Sequence, residues 1–334
     1  MELNHIYTGD ALKVLKSLPS ESIDCIVTSP PYYCLRDYGV GGQIGLENSP
    51  ERYIVNLAKV FMECRRVLKK DGTMWIVIGD SYAGSGGGWG SKNDLYSFKT
   101  PPSASGIPKF SKPTKIRHCK NKDLIGIPWM LAFTLRNAGW YLRQYIIWHK
   151  PNLMPESVRD RCTKAHEYLF LLTKSAKYYF DHSAMLEPAK YDGRSKMEYS
   201  GSPKYHNNAA GLNTQTLFKG GDRYPNKIKV FGSKNQTGTG RNDIGKEWVE
   251  QPARNKRSVW TVPTRGFKGA HFATFPPDLI RTCIAAGCPP AGVVLDPFMG
   301  AGTTALVAKE LGRNYVGIEL NEEYVRLAEK RLGG

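Results

Sequence analysis

A strand, a glycine-rich turn, a helix and a second strand follow one another near the C-terminal end of the sequence. Residues 292–296 form a predicted buried strand that ends in Asp296, and the turn Gly300-Ala301-Gly302 leads into a predicted helix at 303–311. The next predicted strand covers 314–319. A helix between two such strands returns the chain to the starting edge of the sheet, so the two strands run parallel. This unit therefore predicts an α/β fold built on a parallel sheet.

Strands and helices alternate over most of the remaining sequence. Hydrophobic periodicity predicts strands at 5–7, 23–28, 73–78, 141–149 and 167–173, and helices at 11–18, 52–68, 128–137, 276–286 and 322–331. This order predicts a mostly parallel, twisted sheet with helices on both faces, in one domain with an insertion or in two domains. Residues from about 80 to 122 are rich in Gly, Ser and Pro, which predicts a mobile loop. Residues 183–258 lack clear periodicity.

Basic residues are concentrated around the stretch without periodicity. The 334 residues carry a net charge of +17, and residues 183–271 contain sixteen Lys and Arg against seven Asp and Glu. These charges lie among Gly, Asn, Ser, Tyr and Trp rather than in an apolar pattern. Because a basic surface of this kind attracts polyanions, we expect a nucleic acid as the partner.

Composition disfavours several classes of protein. The sequence has no run of eighteen apolar residues, and its first residues, Met1-Glu2-Leu3-Asn4-His5, lack the basic and apolar regions of a signal peptide. The seven cysteines show no CxxC pair, so neither a disulfide framework nor a zinc site is predicted. We therefore expect a cytoplasmic protein with no membrane partner and no bound metal.

The Gly-rich turn and the acid that follows it predict a site for a nucleoside cofactor. Glu319 lies nineteen residues after Gly300, at the end of the next strand, where a carboxylate can accept hydrogen bonds from both ribose hydroxyls. Taken alone, this pattern also fits a dinucleotide such as NAD. Asp296 favours a methyl donor instead, because a carboxylate beside the turn repels a pyrophosphate and attracts an ammonium or sulfonium group.

The segment Thr28-Ser29-Pro30-Pro31-Tyr32 follows another predicted buried strand. The two prolines stiffen this loop, and ligands bind at the carboxyl ends of strands in open α/β sheets. Ser29 Oγ and the Pro30 carbonyl could accept the two hydrogens of an exocyclic amine on a nucleobase, which would free the nitrogen lone pair to attack a methyl group. The ring of Tyr32 could stack on a base flipped out of a duplex. A plain turn would explain the prolines alone, but not their combination with a cofactor-type turn.

These two segments, in this order, resemble the motifs of the DNA amino-methyltransferases that use S-adenosylmethionine (SAM), in their circularly permuted β group. There the catalytic motif comes first, a target-recognition region follows, and the SAM motif comes last. The resemblance implies a Rossmann-like methyltransferase fold with a catalytic half at 1–182, a target-recognition region at 183–258 and a SAM-binding half at 259–334. It also implies that the strand before Asp10 lies beside the strand that ends at Glu319, although they occupy opposite ends of the chain.

The resemblance assigns roles to single residues. The catalytic motif would consist of Ser29, Pro30, Pro31 and Tyr32. SAM would be bound by Asp10, Ala11, Thr28, Phe275, Asp296, Pro297, Phe298, Gly300, Gly302, Thr303, Thr304 and Glu319. Within this set, Asp10 would contact the adenine amino group and Glu319 the ribose. The segment His271-Phe272-Ala273-Thr274-Phe275-Pro276 resembles the part of the SAM pocket near the methionine moiety.

Two further segments of the same kind are expected to contact DNA. Trp148 and Lys150 would lie near the base pocket, and Arg159 and Arg161 near phosphates. Surface ion pairs of the two arginines with Glu156 or Asp160 are the alternative.

Ser29 also bears on the target base. Within this family, Ser-Pro-Pro-Tyr resembles the cytosine-N4 enzymes, whereas adenine-N6 enzymes more often carry Asp or Asn at the first position. Either amine can be reached once its base is flipped, so the chemistry alone does not separate them. We expect site-specific methylation of the N4 of cytosine in duplex DNA, with adenine N6 as the alternative. The enzyme would be a monomer or a homodimer, and a cognate restriction endonuclease is a candidate partner.

Other functions are weighed against this interpretation. A protein that only binds nucleic acid would explain the charge, but not two strand ends of the cofactor-binding type. An NAD-dependent oxidoreductase would explain the Gly-rich turn and Glu319, but not Ser29–Tyr32 or the basic stretch. A methyltransferase acting on RNA or protein would share the catalytic chemistry. A cytosine-C5 enzyme would need a thiolate nucleophile, and Cys34 is not in the Pro-Cys setting which that chemistry uses.

Overall fold

The computed structural model describes residues 1–84, 116, 118–153, 155–189, 253–264 and 275–333. Most of the loop predicted at about 80–122, most of the region 183–258, and residues 271–274 of the methionine-pocket segment lie outside the described residues. In chain order the elements are β1 (His5–Thr8), α1 (Ala11–Ser17), β2 (Ile23–Thr28), α2 (Pro50–Val67), β3 (Leu68–Ile78), α3 (Ile127–Asn137), β4 (Tyr141–His149), β5 (His166–Thr173), β6 (Leu186–Pro188), β7 (Ala253–Asn255), β8 (Val259–Thr261), α4 (Pro277–Gly287), β9 (Val293–Asp296), α5 (Thr303–Glu310), β10 (Asn314–Glu319) and α6 (Glu322–Leu332).

The chain divides into two compact units. The first combines Met1–Met185 with Lys256–Gly334 and contains one eight-stranded sheet. The second is Leu186–Asn255, in which the structure describes the antiparallel pair of β6 and β7. The candidate site described below lies in the first unit.

The sheet of the first unit has the strand order β1-β10-β9-β2-β3-β5-β4-β8. All neighbouring strands run parallel except at β5, which is antiparallel to both β3 and β4. The predicted mostly parallel α/β sheet is therefore confirmed. The reversal of β5 has a consequence for the site, because it brings the first residues of β5, rather than its last, to the edge where the parallel strands end.

The first and last strands of the chain lie side by side. Residues His5 to Thr8 pair in register with Val316 to Glu319, and the Gly9 amide donates a hydrogen bond of 2.8 Å to the Glu319 carbonyl. This pairing confirms the prediction that the strand before Asp10 lies beside the strand that ends at Glu319. The sheet is thus continuous at the point where the chain itself begins and ends.

Apolar layers cover both faces of the sheet. Successive residues of β2 and β3 point to opposite faces: Ile26 and Ile76 pack with α1, α2 and α3, whereas Val27 and Trp75 pack with α4, α5 and α6. Burial on both faces explains why these strands are continuous apolar runs rather than alternating ones. The predicted helical layers on the two sides are present.

The predicted and observed elements differ where polar residues break the pattern. The strands at 23–28, 141–149 and 314–319 have the predicted bounds. β3 begins at Leu68 rather than at 73, because the polar residues near its start carry no apolar signal. The three-residue β8 is absent from the prediction, since a strand this short shows no periodicity and depends on pairing with β4. In the part of the chain that the structure describes, no helix has the length and hydropathy needed to span a membrane.

Candidate active site

The carboxyl ends of the parallel strands border one cavity of about 790 Å³. This volume lies in the range of ligand pockets, about 300–1,000 Å³. Its lining includes these predicted residues: Ser29, Pro30, Pro31, Tyr32, Asp10, Ala11, Phe275, Pro297, Phe298, Gly300, Thr303, Glu319, Trp148 and Lys150. The structure therefore brings most of the predicted catalytic and cofactor residues together, although they lie up to about 300 positions apart in the chain.

A hydrogen bond from α2 fixes the loop that follows β2. Tyr53, a buried residue of α2, donates a hydrogen bond of 2.7 Å from its hydroxyl to the Pro31 carbonyl. The two prolines fix two backbone torsions of the same loop. Ser29 and Pro30 therefore lie on a stiff support, which suits a pair of acceptors that must meet a substrate in one geometry.

The side chain of Tyr32 bridges the loop and β5. Its hydroxyl donates to Glu167 Oε2 at 2.7 Å, and Ser29 Oγ lies 3.5 Å from the same hydroxyl oxygen. Burial, and secondarily the charge of Glu167, raises the pKa of Tyr32 well above its ordinary value, so the phenol stays neutral and can donate. A Cβ at Gly79 would come within 2.8 Å of the Tyr32 ring, which explains the glycine after β3.

Glu167 borders the cavity but is not among the site residues predicted from the sequence. It forms an ion pair with Lys150, and both side chains are largely buried. Lys150 Nζ also lies 4.2 Å from the centre of the Trp148 ring, and the indole donates to the Val262 carbonyl at 2.8 Å. An acid at the start of an otherwise apolar strand was the available signal. It pointed to no site because the reversed direction of β5 could not be predicted.

Asp296 occupies a different position from the one expected. Its carboxylate is buried and accepts 2.6 Å hydrogen bonds from the hydroxyls of Thr28 and Thr304, with a third bond of 3.0 Å from the Phe298 amide. It does not border the cavity, so the direct contact with an ammonium or sulfonium group expected from the sequence is not what this geometry offers. Instead, the carboxylate joins the end of β2, the end of β9 and the start of α5.

Burial shifts the protonation of this carboxylate. Desolvation raises the pKa of Asp296 to about 6, although the hydrogen bonds from Thr28, Thr304 and the Phe298 amide act to lower it. Burying a charge is costly even when it is well paired, and this is the largest effect on the group.

Three more predicted cofactor residues do not border the cavity. Thr28 and Thr304 are fully buried and point to Asp296. Gly302 has a φ of +76°, and a Cβ there would come within 2.9 Å of the Ala328 Cβ on α6. The glycine is therefore required by a left-handed backbone and by the close packing of α6.

The two acids at the other end of the cavity fit a nucleoside. Glu319 accepts hydrogen bonds from the amides of Gly300 at 2.8 Å and Asn321 at 2.9 Å, while burial raises its pKa. Asp10 caps α1 by accepting from the Lys13 amide at 2.9 Å. Both carboxylates border the cavity next to the Gly300 turn. They supply the acceptors that ribose hydroxyls and an adenine amino group need.

The two arginines expected near phosphates differ from one another. Arg161 pairs with Glu156 at 2.6 Å and lies 4.2 Å from the centre of the Tyr82 ring, as in the ion-pair alternative. Arg159 is exposed and forms no ion pair within the residues that the structure describes. Neither borders the cavity. Across those same residues, no group of three or more His, Cys, Asp or Glu side chains is arranged to hold a metal ion.

Comparison with known proteins identifies the family. The DNA methylase family of N6 and N4 methyltransferases matches residues 23–330. This chain belongs to that family. The type II methyltransferase M.SmaI of Serratia marcescens is 42% identical over 331 residues, which cover 98% of this chain and 90% of that relative. The protein is accordingly a SAM-dependent DNA amino-methyltransferase, and the NAD-dependent oxidoreductase is set aside.

Solved structures share the fold of this family member. A PvuII DNA methyltransferase described as cytosine-N4-specific has a TM-score of 0.58 at 16% identity, covering 99% of this chain and 86% of that one. A DNA modification methylase of Thermus thermophilus, complexed with SAM, has a TM-score of 0.54 at 21% identity, covering 99% of this chain and 93% of that one. At these sequence identities, the similarity to the two solved structures shows a common fold and nothing further.

The buried carboxylate of Asp296 predicts a pH dependence of stability. Its folded pKa of about 6 exceeds the ordinary 3.8, so between these values the folded chain holds a proton that the unfolded chain has released. The free energy of unfolding of the wild type should therefore fall relative to that of Asp296→Asn as the pH rises from about 4 to about 6, by about 1–3 kcal/mol. Urea unfolding of both proteins across this range measures the difference. A difference that does not change with pH would show that Asp296 does not titrate there.

Proposed function

We propose that this methyltransferase transfers the methyl group of SAM to the N4 of cytosine at a specific site in duplex DNA. The observation that carries the proposal is the shared cavity: Ser29, Pro30 and Tyr32 border the same space as the Gly300 turn and Glu319. A cofactor and a flipped base could therefore meet there without a large change in the fold.

The catalytic loop would activate the amine by accepting its two hydrogens. An exocyclic amine is a poor nucleophile because its lone pair is delocalised into the ring. Hydrogen bonds to Ser29 Oγ and the Pro30 carbonyl favour a tetrahedral nitrogen, which frees the lone pair for attack. When bound, SAM supplies a methyl group on a sulfonium centre. The stiff support under the loop fixes both acceptors in advance, which is the main way this site would lower the barrier.

The cofactor would lie along the second half of the cavity. Glu319 would accept from the ribose hydroxyls, and Asp10 from the adenine amino group. Phe275 and the Pro297-Phe298 segment border the space expected to hold the methionine moiety. Asp296 would act indirectly, because its hydrogen bonds to Thr28 and Thr304 set the spacing between the catalytic loop and the cofactor turn.

The choice of cytosine over adenine rests on Ser29, since Ser-Pro-Pro-Tyr resembles the cytosine-N4 type. Adenine N6 is the second candidate, because the acceptor pair suits either amine. The type II class of the relatives supports a role in restriction and modification, with a cognate endonuclease as partner. Target recognition by residues 183–258 and a monomeric or homodimeric state remain predictions.

Mass analysis of nucleosides tests the target base. Unmethylated duplex DNA of mixed sequence is incubated with the enzyme and methyl-labelled SAM, and then digested to nucleosides. We expect the label in N4-methylcytosine. Label in N6-methyladenine would support the second candidate, and DNA that takes up no label would contradict both.

Substitution of Ser29 separates chemistry from cofactor binding. Ser29→Ala removes one of the two acceptors, so methyl transfer should fall by about a hundredfold or more, in line with the loss of one preorganised hydrogen-bonding group at a reacting centre. SAM binding measured by calorimetry should be unchanged, because the cofactor residues are intact. Ser17→Ala, at the exposed end of α1, is the control. Loss of SAM binding in Ser29→Ala would place the serine in the cofactor site instead.

Arg159 tests the phosphate contact. Arg159→Ala should weaken binding to duplex DNA to a similar degree across sequences, and it should reduce the slope of log affinity against log salt by about 1. Arg161→Ala should have the smaller effect, because Glu156 already holds that guanidinium. The exposed Arg326 on α6, substituted by Ala, serves as the control for lost charge. An unchanged salt dependence would remove Arg159 from the interface.

A further inference from the structure

Methylation of an exocyclic amine leaves a proton that must be removed. The nitrogen–carbon bond forms as the sulfur–carbon bond breaks, so the sulfonium becomes a neutral thioether and the nitrogen gains a positive charge. The base recovers its conjugated neutral form only when the nitrogen loses one hydrogen as a proton. A base that has been drawn into a protein cavity needs a path for this proton.

A chain of hydrogen bonds leads from the amine acceptor to a carboxylate. Ser29 Oγ lies 3.5 Å from Tyr32 Oη, and Tyr32 Oη lies 2.7 Å from Glu167 Oε2. A carboxylate can only accept, so Tyr32 donates to Glu167 and its oxygen is left to accept from Ser29. Both hydroxyl hydrogens therefore point along this series toward Glu167, the direction that proton transfer to the carboxylate requires.

The other acids in and near the cavity accept hydrogen bonds from backbone amides. Among the described residues that border the cavity, the acids are Asp10, Glu167 and Glu319. Asp10 caps α1, and Glu319 accepts from two amides at the nucleoside end. Asp80, which follows β3, accepts from the Gly126 and Ile127 amides at the start of α3. Glu167 is thus the acid that the hydroxyl chain reaches.

We propose that Glu167 takes up the proton that the amine loses, through Tyr32 and Ser29. The proton passes from the nitrogen to Ser29 Oγ, the Ser29 proton to Tyr32 Oη, and the Tyr32 proton to Glu167 Oε2. Charge balances, because the positive charge that arrives with the methyl group is neutralised on the carboxylate. The longest link, from Ser29 to Tyr32, must shorten when the base binds, as hydrogen bonds in catalytic sites commonly do. The inference rests on the proposed acceptor role of Ser29, and it holds for either target base.

Charged groups surround Glu167 on several elements. Lys150, after β4, pairs with it directly, and Tyr32 faces it from the loop after β2. Lys164 and His166 lie before and at the start of β5; burial lowers the pKa of both, and Glu167 opposes that effect. Lys164 also donates to the Asp80 carbonyl. Proton uptake by Glu167 would leave Lys150 beside a neutral acid.

The test compares two single variants, their double variant and a control variant with the wild type in single-turnover methyl transfer. Enzyme in excess acts on unmethylated duplex DNA of mixed sequence with labelled SAM, over a range of pH. Glu167→Gln keeps the size of the side chain but cannot take up a proton, so the rate should fall about a hundredfold. Because a proton acceptor must be deprotonated to act, we expect the wild-type rate to decline toward low pH and the Glu167→Gln rate to lose that decline. Tyr32→Phe removes the hydroxyl that lies between Ser29 and Glu167, and it should show the same loss of rate and of pH dependence as Glu167→Gln.

The double variant and a matched control complete the design. Glu167→Gln combined with Tyr32→Phe should be no slower than the slower single variant, because one interruption already breaks the path. Glu21→Gln removes a similar glutamate–lysine pair, with Lys174, away from the cavity and should keep the wild-type rate and pH profile. SAM binding by calorimetry verifies that each variant is folded.

The outcomes separate this inference from the proposed function. The proton path would be overturned if the rate of Glu167→Gln still declined toward low pH as in the wild type. It would also be overturned if the fold reductions of the two single variants multiplied in the double variant. In either case, wild-type methylation would stand. Persistence of the pH dependence would leave Glu167 as a residue that only positions Tyr32, whereas multiplied reductions would show that the two residues act independently. Failure of the proposed function would instead appear as unlabelled DNA in the wild type.

Discussion

The carboxylate of Asp296 accepts hydrogen bonds of 2.6 Å from Thr28 and from Thr304. These two bonds connect the end of β2, just before the Ser29–Tyr32 loop, with the start of α5, which follows the Gly300 turn. The Phe298 amide is the third donor. Burial makes this carboxylate costly even with all three bonds, and the loss of any one of them would raise the cost further. The distance between the loop that would hold the amine and the turn that would hold the methyl donor is fixed by these hydrogen bonds.

The permuted order of the motifs has little effect on the site, because a parallel sheet collects strand ends irrespective of chain order. β1 and β10 pair in register although they are the first and last strands, so Asp10 and Glu319 reach the same end of the cavity. What the fold requires is that the strands end at one edge, with turns short enough to leave the cavity open. Chain termini between β10 and β1 interrupt no hydrogen bond of the sheet.

Much of this arrangement could be predicted from residues alone. Long apolar strands such as 23–28 and 314–319 were placed correctly, since burial on both faces gives a strong signal. The position of Glu167 could not be predicted, because the direction of β5 depends on tertiary pairing rather than on periodicity. The buried position of Asp296 could not be predicted for a related reason: a sequence shows an acid beside a turn, but not that two threonine hydroxyls donate to its oxygens. Arg161 likewise found a partner in Glu156 that spacing only suggested.

In the proposed mechanism, one cavity holds the amine beside Ser29 and the nucleoside beside Glu319. A crystal structure of the enzyme with S-adenosylhomocysteine and a duplex carrying its target base would show both positions at once. We expect the ribose within hydrogen-bonding distance of Glu319 and the exocyclic amine within that distance of Ser29 Oγ. A product nucleoside bound away from the Gly300 turn, or a flipped base whose amine faces away from Ser29, would contradict it.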